Sequence, residues 1–199
     1  MYLCPYDIPW LPEKRCNYAP TRICKVEIDL RNVMCTLWEQ HIVWTRMTII
    51  SIIKDLPDVE FVTKRLLRNP IDFKIVLQPF YGDVIASKFS DLFKSHIVLA
   101  AQLVKAAKDG YNKESEDAEK RWYANADEIA IFFSRINPYW SQANWRTMLY
   151  EHLAMTKSEA VHILSNNYKE SITEYDKIES QALKMAEVMA EGIVKQFIY

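Results

Sequence analysis

Residues 30–53 read LRNVMCTLWEQHIVWTRMTIISII, and the pattern of this run decides the fold. At 100° per residue Leu30, Met34, Leu37, Trp38, His41, Thr45, Thr48 and Ile52 share one face of a helix. The other side carries Glu39, Val43, Arg46, Ile50 and Ile53. A helix that is apolar nearly all round belongs at the centre of its fold. Its polar residues then need partners from surrounding helices. Glu39 and Arg46 are seven positions apart, too far for a direct pair along one helix, and Asp127, Glu128, Glu151 and Asp176 are candidate partners for Arg46. His41 falls at the centre of the principal stripe.

Outward from this run the chain divides at its stops. Residues 1–29 carry Pro5, Pro9, Pro12 and Pro20, interleaved with Tyr2, Tyr6, Trp10 and Tyr18, and read as an extended arm. KVEIDL, residues 25–30, alternates like a short strand and is taken as the lead-in to the first helix. Residues 30–199 form the second unit. The first helix ends at Pro57, two short helices cover 58–68 and 70–77, and Asn69-Pro70 divides them. QPFYGD, residues 78–83, is expected to turn the chain. Longer helices follow over 84–107, 113–136, 143–165 with Ser141 as N-cap, and 170–196. Long helices joined by short loops make antiparallel neighbours. The expected fold is all-α, an up-and-down bundle of four to six helices with an extended N-terminal arm.

Each long helix has an apolar seam with a polar interruption. The helix over 84–107 shows Ile85, Phe89, Leu92, His96, Leu99, Leu103 and Ala106 in steps of four and three. Its successors place Asn125 between Trp122 and Ile129, His152 between Met148 and Met155, and Glu179 between Tyr175 and Ala182. Mid-length positions of an up-and-down bundle meet at one level, so His41, His96, Asn125 and His152 are expected to form a polar layer, with Glu159 or Glu179 near it. An unpartnered buried polar group costs about 1–3 kcal/mol. The layer must therefore satisfy itself, hold water or hold a ligand. One reading is a transition-metal site, for Zn, Fe or Mn, in which His41, His96 and His152 ligate, Glu159 or Glu179 adds a carboxylate and Asn125 orients an imidazole. A non-metal ligand would draw on Asn125, Arg46 and Glu39. Glu159-Ala-Val-His162 has the Glu-x-x-His step of helical di-iron proteins, here on one helix only. The competing reading is a non-catalytic structural or interaction protein in which the layer only fixes helix register and the arm docks on a protein partner or a second copy.

Composition narrows the field. The net charge is −1 with both signs interspersed, which gives a nucleic-acid backbone nothing to bind. Gly82, Gly110 and Gly192 are the only glycines and stand apart, so no glycine-rich phosphate cradle can be drawn and no nucleotide is expected. Cys4, Cys16, Cys24 and Cys35 show no CxxC spacing and read as reduced thiols of a cytoplasmic protein. The N-terminus lacks the form of a signal peptide, and no apolar run is long enough to span a bilayer.

WEQHIVWTR, PFYGD, RWYANADEIA, MLYEHLAMTKSEA and MAEGIVKQF together resemble a family of small proteins from spore-forming bacteria. The resemblance covers about residues 30–198 and leaves out the arm. It implies a spore-associated setting but supplies no catalytic residues. Family members often carry an acetylglutamate kinase label. Kinases of that class are α/β proteins with glycine-rich phosphate loops, whereas this chain reads as all helix, so the label stands as a remote alternative. In outline the pattern is also similar to ferritin-like and hemerythrin-like metal bundles, though their ligand spacings are not reproduced.

Overall fold

The computed structural model describes residues 25–199. The expected arm lies almost wholly outside the described residues, as do the partner contacts assigned to it. Six α-helices follow: α1 (Lys25–Ile53), α2 (Val59–Leu66), α3 (Asn69–Lys108), α4 (Asn112–Ile136), α5 (Gln142–Leu164) and α6 (Tyr168–Phe197). No strand occurs among the described residues. The five long helices run up and down, and α1 packs against α2, α3, α5 and α6. Its central position matches its composition, since a helix without a polar face can be surrounded.

Contacts at the two ends fix the directions. At one end Tyr199 donates to Glu27 at 2.8 Å, and Asn137 and Gln196 meet Tyr81. At the other, Lys108 pairs with Asp55 and Lys54 reaches Asn166. Between them α2 and the first part of α3 run back along α1. Arg65 of α2 donates to Gln40 at 3.1 Å and lies over the Trp44 ring, and Asn69 donates to the Leu37 carbonyl at 2.9 Å.

Three boundaries differ from the sequence expectation. KVEIDL is not extended but forms the opening turns of α1. A lone strand would leave its backbone without a ladder, whereas the helix buries Leu30 in the core and lets Glu27 pair with Arg31 one turn on. QPFYGD turns the chain as expected, bringing Phe73 within 5.2 Å of Phe93, but the reversal is confined to its glycine. The helix continues through Phe80 and Tyr81 and breaks only at Gly82, at φ 77° and ψ 167°. α1 stops at Ile53, short of Pro57, with Asp55 at φ 51°. The expected Ser141 cap is present, its hydroxyl accepting from the Asn144 N–H at 3.4 Å.

The core is strongly aromatic below mid-height. Trp38, Phe73, Phe89, Phe93, Phe133, Trp140 and Trp145 form one network of tilted, edge-on and stacked rings. Aromatic packing of this kind fixes relative helix height, because each ring accepts only a few orientations from its neighbours. That sets the level at which the polar residues meet.

A polar layer across the bundle

His41, His96, Asn125 and His152 are all buried, near the midpoints of α1, the second arm of α3, α4 and α5. Their rings gather. The His41 centroid lies 5.9 Å from that of His152 and 6.4 Å from that of His96. Phe93 closes the layer from below, 4.7 Å from His41. Trp122 of α4 flanks His96 at 5.4 Å.

Two of the imidazoles are held by amides. His96 Nδ1 lies 3.1 Å from Asn125 Oδ1, while the Asn125 amide nitrogen donates to the Leu92 carbonyl at 3.1 Å. The Asn125 oxygen is therefore the acceptor, His96 Nδ1 carries the proton, and Nε2 keeps its lone pair. His152 repeats the arrangement. Its Nδ1 lies 3.2 Å from Gln181 Oε1, and the Gln181 nitrogen donates to the Met148 carbonyl. His41 differs: no protein group reaches its Nδ1. Its backbone carbonyl accepts from Thr45 at 2.7 Å, and its ring is held by packing on Trp38 and Phe93.

All three rings are neutral at physiological pH. Burial strips the imidazolium of water and pushes His96 down to about 3 and His152 to about 4. Burial lowers His41 well below its ordinary value too, and the neighbouring histidines add to the effect.

The three histidines line one small cavity of about 20 Å³, together with Thr48, Thr156 and Trp122. That is room for about one water-sized group. On this wall four buried polar atoms have no protein partner: His41 Nδ1, Thr48 Oγ1, Thr156 Oγ1 and Trp122 Nε1. The indole N–H groups of Trp38 and Trp145 are also unpartnered, but neither residue lines the cavity. Trp140 Nε1, by contrast, finds the Val188 carbonyl at 3.1 Å.

The expected carboxylates sit elsewhere. Glu159 is buried and pairs with Arg46, whose guanidinium also reaches Ser171 and lies 5.2 Å from the Tyr175 ring centroid. Burial raises the Glu159 carboxyl and Arg46 opposes the rise. Glu179 lies against Glu39, whose carboxyl is raised by burial first and then by the Glu179 charge and hydrogen bond. Neither Glu159 nor Glu179 lines the histidine cavity. The expected partners of Arg46 are corrected with them. Asp127 is held by Arg146 and Tyr150, and Glu128, Glu151 and Asp176 are exposed. Glu39, Arg46 and Glu159 thus form a separate α1–α5–α6 cluster. His162 is half-buried near the end of α5, away from the layer.

Among the described residues no three His, Cys, Asp or Glu side chains are arranged as a group that could hold a metal ion. Sequence reasoning did not single out Gln181 or Thr156. Thr156 lies one turn after His152 on the same stripe and was within reach of the periodicity. No family model, curated protein or solved structure matches the chain. No helix among the described residues is long and apolar enough to cross a membrane.

Proposed function

We propose that this protein is a small-ligand-binding helical bundle whose site is the cavity among His41, His96, His152, Thr48, Thr156 and Trp122. One observation carries the reading: four residues that line a single cavity each carry a buried polar atom without a protein partner. Native interiors rarely leave such groups unsatisfied, and each costs about 1–3 kcal/mol when they do. Clustered on one wall, they match a guest that both donates and accepts hydrogen bonds. His96 and His152 add two Nε2 lone pairs, held in place by Asn125 and Gln181.

The test is a titration of isotope-labelled protein with formamide and methanol, following the Trp122 indole N–H and the histidine ring signals. Saturable shifts centred on these groups, weakened in Thr156→Val, are expected. Signals that move no more than those of Trp140, which lies outside the cavity, would sink the reading.

A second reading has its own support. Metal-bound histidines characteristically donate their other ring N–H to an acceptor, as His96 and His152 do to Asn125 and Gln181. To complete a three-imidazole site for Zn, Fe or Mn, His41 would have to turn. Since its Nδ1 has no partner, turning breaks no protein hydrogen bond at that atom. Cobalt(II) titration tests this directly: visible absorption at one equivalent that is lost in His96→Ala supports it, and a flat spectrum excludes it. The neutral-guest reading leads because no carboxylate joins the histidines at the cavity and they form no metal-holding group among the described residues.

A further inference from the structure

A second cavity adjoins the first on the side away from Phe93. It measures about 70 Å³ and is lined mainly by apolar side chains, Ile53 and Leu103 buried, Ala107, Val161 and Leu164 exposed. Ile49, Ala100, Val104, Trp122 and Thr156 line both cavities, so the two abut. Ile53, Ala107 and Leu164 stand at the ends of α1, α3 and α5, which puts this cavity at the end of the bundle where those helices stop. It separates the polar layer from that end. Its one charged neighbour, Lys157, is engaged with Glu119 at 2.6 Å.

We propose that the guest is a short uncharged amphiphile, seated with a hydroxyl head among His41, Thr48, Thr156 and Trp122 and an aliphatic tail in the adjoining cavity. The proposal rests on the reading of the polar layer as a ligand site. Three features point to this chemistry. The head cavity offers donors and acceptors but no charged side chain, so an ionised head would lose its water with no counter-charge in return. The three imidazoles are neutral, which removes the remaining source of positive charge. The tail cavity is apolar and small. An engineered cavity of about 150 Å³ holds benzene, so a space about half that size takes a chain of a few carbons.

The experiment is a series of straight-chain primary alcohols, methanol to hexanol, titrated into the full-length protein with the Trp122 indole and histidine ring signals as readout. Butanoate at pH 7 serves as the charged control. Dissociation constants are expected to fall about fourfold per added methylene over the first few carbons, as burial of a CH₂ group implies, and then to level off. Butanoate should bind at least tenfold more weakly than butanol. Ala160→Leu and, independently, Ala107→Leu narrow the tail cavity, and either should abolish the gain with chain length while keeping the methanol response. Suppose formamide and methanol bind but longer alcohols gain nothing, or butanoate matches butanol. The amphiphile assignment is then overturned and the polar site stands. If no probe moves the Trp122 and histidine signals, the site itself is refuted and the proposal falls with it.

Discussion

His96 and His152 each bond an amide oxygen through Nδ1 and line the cavity, while His41 has no partner for Nδ1. All three are held neutral by burial, and this has a consequence in acid. Their folded values lie below the ordinary value near 6.5, so below that pH the unfolded chain binds protons that the native chain refuses. Stability is full above about pH 6.5. It falls as the pH drops, by at most about 1.4 kcal/mol per unit for each histidine, until the native rings themselves titrate, about 4 for His152 and about 3 for His96. Urea midpoints should therefore hold from pH 7.5 to about 6.5 and decline from there to pH 5, and His152→Gln should decline less steeply than the parent. The Arg46–Glu159 pair behaves in the opposite sense. Arg46→Met leaves a buried carboxylate alone and is expected to lose about 3 kcal/mol at pH 7. Glu159 is already raised by burial, so losing Arg46 raises it further. The folded chain then takes up the extra proton, and the defect should shrink toward pH 5. Arg46→Met combined with Glu159→Met should recover most of the loss. Urea denaturation of the three proteins at both pH values decides it. The sequence placed Arg46 on the far side of α1 and required a partner from another helix, but not which one. Periodicity gives the face of a residue, not the rotation of the helix it meets.

Two glycines show what the helices demand of single positions. Gly192 lies inside α6, where glycine is weaker than alanine by roughly 1 kcal/mol. A Cβ there would come within 1.9 Å of Trp140 Nε1, the atom that donates to the Val188 carbonyl. Gly192→Ala should thus destabilise by about 1–3 kcal/mol, as overpacking does, despite the better helix former. Gly82 is the reverse case. Nothing stands within 4 Å of a Cβ there, yet its φ of 77° with ψ of 167° belongs to glycine almost alone. Gly82→Ala is expected to cost about 1–3 kcal/mol through the backbone, at the point where α3 folds back and packs Phe73 on Phe89 and Phe93. Thermal unfolding with the Trp122 indole signal as a local probe checks both. The helical stops were legible in the sequence because Pro and Gly act on the backbone directly: Asn69-Pro70 and Asp109-Gly110 each mark a real boundary of α3. The start of α1 was not. The alternation of KVEIDL fits a strand as well as it fits a helix whose Leu30 is buried, and six residues hold too little pattern to separate the two.

Across the whole molecule, the level at which helices meet was predictable where register and length agreed. His41, His96, Asn125 and His152 lie near mid-length in their helices, and antiparallel packing brings them together. Gln181 completes the layer from α6 but lies beside the seam that Ile172, Tyr175, Glu179 and Ala182 defined, so its role became visible only when α5 and α6 were paired. The cavity was beyond the sequence altogether, since volume depends on how five helices fail to fill the space between them. The layer could also exist only to set register, and the two roles predict opposite results for one substitution. If His41 faces a guest site, its unpartnered nitrogen is a cost to the empty fold. His41→Leu then removes that cost at similar size and should raise stability by up to about 1–2 kcal/mol. It should also abolish the formamide and methanol response. A register device behaves otherwise: losing it relaxes the bundle into several packings, seen as a smaller denaturant slope and broadened core resonances. Urea unfolding of His41→Leu with its slope, beside the ring spectrum of Trp38 and Phe93 against His41, separates the two. A steeper or unchanged slope with a higher midpoint assigns the layer to binding. A shallower slope with a lower midpoint assigns it to architecture.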